Sequence, residues 1–109
     1  MTAETPVLDT LADMTTVSVQ NGSLAPRETM LARIAALIAV DAPPASYLTN
    51  GAVASSAGLT AEDVQDVMIA VAPVVGTAKV VSASGNILKS LGFMIAAAES
   101  GLDDEDAPL

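Results

Sequence analysis

The side chains able to do chemistry in this sequence are few, and it contains neither histidine nor cysteine. Without cysteine there is no thiolate nucleophile, no disulfide and no thiolate-bound metal. Without histidine the usual neutral-pH proton shuttle and the commonest metal ligand are gone. What remains is a polar cluster of Ser46, Tyr47, Thr49 and Asn50, just after the proline pair Pro43-Pro44. Those groups could line a small pocket by hydrogen bonding, with Tyr47 as a weak acid. The simpler and favoured reading is a first helical turn whose side chains satisfy backbone groups. Arg33 is the second candidate, a cation inside the apolar run Leu31–Val40. Its guanidinium could clamp a carboxylate at a subunit interface, or pair with Glu28, Asp66 or a neighbouring copy's acid.

The carboxylates offer less. Glu62 and Asp63 follow Thr60 where acids favour a helix N-terminus, and Asp66 lies one turn on. Asp103-Asp104-Glu105-Asp106 lacks the spaced glycine and bidentate glutamate of a calcium loop, and reads as a solvated tail. No metal site and no catalytic residue is assigned. Met14, Met30, Met68 and Met94 read as core fillers.

Helices must position these groups. Thr5-Pro6 is a helix start that could set Val7, Leu8 and Leu11 on one face; Thr15 to Val19, followed by Asn21-Gly22, reads as an irregular connection. A second helix is expected from Pro26 to about Val40. Met30, Leu31, Ile34, Leu37 and Ile38 line one face, and Thr29, Ala32 and Ala36 form a small-residue face opposite. Asp41-Ala42-Pro43-Pro44 ends it. A third helix runs from Ala45 to Ala57, with Gly58 as a left-handed cap. The fourth starts at the capping signal Thr60-Ala61-Glu62-Asp63, turns Val64, Val67, Met68 and Val71 inward, and is interrupted or ended by Pro73 and Gly76. A last helical segment spans Thr77 to Ala98, kinked at Gly85-Asn86.

Composition narrows the partners. Thirteen acidic against four basic residues give a net charge of -9, which argues against nucleic acid and anionic membranes. Glu4, Asp9 and Asp13 stand where a secretory signal would carry basic residues, and no apolar run approaches the roughly 20 residues of a membrane span, so a cytoplasmic location is expected. The chain is 51% hydrophobic but only 2% aromatic. One domain of 109 residues can bury only about 60–70% of its unfolded surface. So apolar a chain would leave a large patch exposed, which points to a homo-oligomer.

The order of signals is specific. Leu24-Ala-Pro-Arg-Glu28, the apolar helix, the Asp41-Ala-Pro-Pro44 break, Ala57-Gly-Leu-Thr-Ala-Glu-Asp-Val64 and Val71-Ala-Pro-Val-Val-Gly76 resemble the carboxymuconolactone decarboxylase family, which includes the AhpD-like alkylhydroperoxidases. The resemblance covers roughly Leu24 to Leu91. It implies an all-α, AhpD-like helical fold with a central helical hairpin, assembling as trimers or hexamers. It also implies cofactor-free decarboxylation of a muconolactone, or peroxide reduction through a cysteine pair with nearby histidine. Where the family's reactive cysteines and histidine would fall, this chain has Pro43, Ser46 and Asn50. A serine forms no sulfenate or disulfide, so cysteine-based peroxidase chemistry is excluded. Asn50 can hydrogen-bond but cannot shuttle a proton near pH 7.

The expected organisation is an N-terminal helix and connection over 1–23, a family-like helical domain over 24–99 and an acidic disordered tail over 100–109. The expected role is a diverged, non-catalytic scaffold or small-ligand-binding assembly of this chain with itself. Arg33, Ser46, Tyr47 and Asn50 are its candidate ligand residues, a small carboxylate its candidate ligand, and no cofactor is expected. The alternative is a cofactor-free decarboxylase, or an enzyme processing a lactone or carboxylic acid, with its site between subunits.

Overall fold

The computed structural model describes residues 5–106, with side chains through Gly92 and at Ile95. Five helices follow one another: α1 (Pro6–Asn21), α2 (Pro26–Ala39), α3 (Pro44–Ser56), α4 (Ala61–Val75) and α5 (Thr77–Asp106). The fold is all-α, as expected. Proline opens each of the first three helices, where its missing N–H is no loss.

The central element is α2, because its apolar residues recur at one turn's spacing and have neighbours on more than one side. Met30, Ile34 and Ile38 are buried and meet Ala54 of α3, Val67 of α4 and Ala83 of α5 in one cluster. The helix packs against α3, α4 and α5, and α3 also packs against α5. The small-residue face of α2 is left uncovered in the single chain: Ala32 and Ala36 are exposed.

Both ends of α3 are shaped by the same local device. After α2, the Ala42 N–H donates to the Leu37 carbonyl and the Asp41 N–H to that of Ile38. After α3, Leu59 donates to Ala54 and Gly58 to Ser55. These are paired Schellman closures, which need a left-handed residue, supplied by Asp41 at φ 56° and Gly58 at φ 87°. Side chains of α5 hold the first closure: Lys79 donates to the Ala39 carbonyl at 2.9 Å, Asn86 to the Ala42 carbonyl at 3.1 Å, and the Ser82 hydroxyl to the Asp41 carboxylate.

At the start of α4 the Thr60 hydroxyl accepts from the Asp63 N–H at 3.1 Å, while the Asp63 carboxylate accepts from the Thr60 N–H at 2.8 Å. This is the expected capping box. Gly76, at φ 92° and ψ 161°, joins α4 to α5 in a conformation open essentially to glycine alone.

Several boundaries correct the sequence reading. Thr15 to Val19 is helical, not a connection, and α1 runs to Asn21. The threonine hydroxyls are absorbed by the helix itself: Thr10 donates to the Pro6 carbonyl and Thr16 to that of Ala12. Gly76 ends α4 as expected, with Pro73 inside the helix, and α5 continues through Gly85-Asn86. The backbone stays helical to Asp106, where a disordered tail was expected from residue 100. Once a helix is nucleated each further residue adds a hydrogen bond, and the next proline is Pro108. Residues 107–109 of that tail lie outside the described residues.

Candidate functional site

The four helices of the bundle do not close completely on one another. A cavity of about 510 Å³ remains between them. Its walls include Ile34 and Leu37 of α2, Val64 and Met68 of α4, and Ile87 and Leu91 of α5; α3 contributes Tyr47, Asn50, Gly51 and Ala54. The space follows from residue size, since Gly51 and Ala54 on α3 and Ser84 and Ser90 on α5 leave volume unfilled where larger side chains would meet.

Most polar groups in the wall are already committed. Asn50 Nδ2 donates to the Ser46 carbonyl at 2.8 Å, one turn back in α3. Ser90 donates to the Ile87 carbonyl at 2.7 Å, and Ser84 to that of Val80 at 3.0 Å. The Thr60 hydroxyl belongs to the capping box, and Gln65 and Ser55 are exposed. Tyr47 differs: the residue is 7% exposed, and its buried hydroxyl has no hydrogen-bond partner among the described residues. Burial raises its pKa, and the negative charge of Asp41 raises it further. The phenol therefore stays protonated at neutral pH, as a donor.

The structure divides the sequence candidates. Tyr47 and Asn50 share the cavity wall, whereas neither Ser46 nor Arg33 is part of it. Ser46 is half-buried in the first turn of α3, where its N–H donates to the Pro43 carbonyl at 3.0 Å. Thr49 back-bonds to the Ala45 carbonyl. The Arg33 guanidinium reaches α1 and donates to Ser18 Oγ at 3.2 Å. Among the described residues the ion pair is instead Arg27–Asp63, with a shortest contact of 2.6 Å. It is bidentate, with a second contact at 2.9 Å, and Arg27 also donates to the Gly58 carbonyl at 3.2 Å. The Arg27 hydrogen bond and the Thr60 N–H hold the Asp63 carboxyl well below the usual carboxylate range, and the same pairing raises the guanidinium of Arg27. Among the described residues no group of three or more acidic side chains is placed to hold a metal, and no helix is long and apolar enough to cross a membrane.

Sequence reasoning took Met68 for a core filler and missed its part in the cavity wall, together with that of Ser84 and Ser90. The available signal was the small residues of α3 and α5, which register with one another only once the helices pair.

Fold and site together define a small all-helical protein with an apolar cavity between its helices. The chain belongs to the carboxymuconolactone decarboxylase family, whose model matches residues 5–89. The match includes α1 through α4 and the first part of α5, and agrees with the motif order from Leu24 to Leu91. No curated protein and no solved structure matches the chain.

Proposed function

We propose that this protein is a diverged member of the family that has given up the family's chemistry and works as a homo-oligomeric, small-ligand-binding assembly. One observation carries this reading: the described cavity wall has no thiol, imidazole, carboxylate or cation, and its one titratable side chain, Tyr47, is a phenol held protonated. Such a site can hold a molecule but has no group poised to take up a proton at neutral pH or to attack a bond.

The assembly half of the proposal draws support from the surface. Val7, Leu8, Leu11, Met14 and Val17 of α1 are each at least half exposed, as are Val81, Leu88 and Ile95 of α5. Apolar faces of this extent on a small domain mark subunit contacts, and the expected product is a trimer or hexamer located in the cytoplasm.

The test is binding without turnover. Purified protein should bind a naphthalene-type fluorescent probe saturably, and Ser84→Phe, which fills the cavity, should abolish that binding while circular dichroism remains helical. A muconolactone-type acid should pass through unchanged. Turnover of that acid at a useful rate would overturn the proposal, as would a stable monomer by light scattering.

Arg33 favours the second reading, a lactone- or carboxylic-acid-processing enzyme with its site between subunits. It lies outside the cavity, with a neutral hydroxyl as its described partner. A carboxylate clamped by Arg33 would sit on that outer face, and Arg33→Ala would then abolish turnover.

A further inference from the structure

We infer that α1 of a second copy of this chain lies along the open side of the cavity, so that the partner's Leu11 completes a site that a single chain leaves half open. The inference rests on the assembly half of the reading above and says where on the neighbouring copy the helix sits.

The receiving surface is an apolar trough. The cavity and a shallower depression beside it share Gln65, Met68 and Ser84, and together they run between α4 and α5. Along α5, Val81, Ser84, Leu88, Leu91 and Ile95 recur at three- and four-residue spacing, which sets them on one side of the helix over about 21 Å. Leu88 is 67% exposed, and Ile69 on the α4 side of the depression is 71% exposed. The trough therefore presents an uncovered aliphatic surface of the shape that receives a helix.

Helix α1 has the matching face. At about 100° per residue, Val7, Leu8, Leu11, Met14 and Ser18 share an arc of about 120°, with Asp9 and Asp13 on the opposite side. The four apolar residues of that arc are each more than half exposed, and the stripe is about 17 Å long, within the length of the trough. Among the described residues no helix packs against α1, and its tie to its own chain runs from Ser18 to Arg33, outside the cavity wall.

Two arguments choose a second copy as the occupant. The first is coverage. Half of the 16 residues of α1 together with the trough wall make roughly 20 residues on each copy, as many as a stable interface uses, whereas a foreign peptide would fill the trough and leave α1 bare. The second is charge. Copies carrying -9 each repel one another, and this stripe and trough are the pairing that adds no like-charge contact, because neither holds a charged residue. A cationic peptide drawn by the net charge would find no carboxylate in the wall to meet it. Each copy offers one helix and one trough, so the exchange closes as a pair or a ring.

Because the chain has no cysteine, introduced thiols report contacts without background. The full-length double variant Leu11→Cys/Leu88→Cys is oxidised with diamide, separated on a non-reducing denaturing gel and mapped by peptide mass. Disulfides between positions 11 and 88 of different chains should form, since a seated helix brings the two backbones within disulfide reach. Their yield should exceed by at least tenfold that of 11-to-36 links in Leu11→Cys/Ala36→Cys, which places the second thiol on the exposed back of α2. In a separate variant, Leu88→Glu puts a carboxylate in the trough. Leu88 is exposed in the single chain, so circular dichroism should stay helical while light scattering shifts toward monomer.

Links between two copies of position 11 in place of 11-to-88 links would show α1 pairing with α1 and overturn the inference while leaving the assembly reading standing. So would 11-to-88 links confined to single chains, equal yields in the two double variants, or an assembly that survives Leu88→Glu. A wild type that stays monomeric by light scattering at high concentration would overturn the assembly reading itself.

Discussion

Helices α1 and α2 begin alike and end differently. Each opens on a proline with an acid in its first turn and repeats aliphatic residues at helical spacing. Yet α2 buries Met30, Ile34 and Ile38, whereas α1 buries nothing, and among the described residues no helix of the bundle packs against it. The described tie between the two is the Arg33–Ser18 hydrogen bond. Patterning thus specifies a helix and a face that must be covered, but not what covers it. In α2 the cover is the same chain. A lone helix of 16 residues is marginal in water even with good helix formers, so α1 needs a cover from elsewhere.

The sharpest way to break this comparison is to make the same truncation in both helices. Ile38→Ala removes a fully buried side chain from the centre of the cluster and should cost about 2–5 kcal/mol. Leu11→Ala, in protein dilute enough to be monomeric, should cost less than about 0.5 kcal/mol. Urea unfolding of the two variants side by side measures both. Comparable losses would mean that α1 is as much a part of the single-chain core as α2.

Next in size is the joint between the last two helices. Gly76→Ala places a side chain at φ 92° with open space around it, so any penalty is conformational rather than steric contact with neighbours. The expected loss is about 1–3 kcal/mol, read as a lower thermal midpoint. It should appear in the bundle's cooperative transition, because α4 and α5 both belong to that unit.

Smaller again is the cap of α4. Thr60→Ala should destabilise by about 1 kcal/mol. The Asp63 carboxylate in the same box makes this end of the bundle sensitive to acid. Its pKa is lower in the folded chain than the unfolded value of about 3.9, so its stabilisation is complete above that value and is lost as the pH falls below it. Melting temperatures measured from pH 6 to pH 3 should fall more steeply below about pH 4 in the wild type than in Asp63→Asn. The ion pair with Arg27 is solvent-facing, so added salt should reduce the difference.

These sites also mark what was legible in the sequence. The Thr60 capping box, the proline starts and the Gly58 cap were readable because each is decided within a few neighbouring residues. Thr15 to Val19 misled for the opposite reason: β-branched residues suggested a break, but the segment continues the helix and Thr16 returns its hydroxyl to the Ala12 carbonyl one turn back. The Arg27–Asp63 pair joins positions 36 residues apart, and nothing near Arg27 distinguishes it from Arg33, which was the candidate instead. The cavity was least legible, because it is made of missing volume at Gly51, Ala54, Ser84 and Ser90 and exists only after α3 and α5 lie against each other. Tyr47 and Asn50 were picked out as polar groups after a proline break. That Tyr47 would be stranded and Asn50 satisfied depends on rotamers fixed by packing.

The smallest expected effect on single-chain stability is the most informative about assembly. Leu11→Ser places a hydroxyl on the exposed stripe of α1, where water already reaches half of the side chain. In dilute protein the unfolding midpoint should move by less than about 0.5 kcal/mol, as for other surface substitutions. At high concentration the outcome reverses if a second copy covers that stripe. The leucine is then buried in the assembly, and its replacement should shift light scattering toward monomer and remove the concentration dependence of melting. Ala36→Ser, on the exposed back of α2, is the control, because it changes the surface equally little in the single chain while leaving the α1 stripe intact. Loss of assembly in the first variant alone would assign the contact to α1. Loss in both would bring the small-residue face of α2 into the same interface and give α2 two partners, its own bundle on one side and a neighbour on the other.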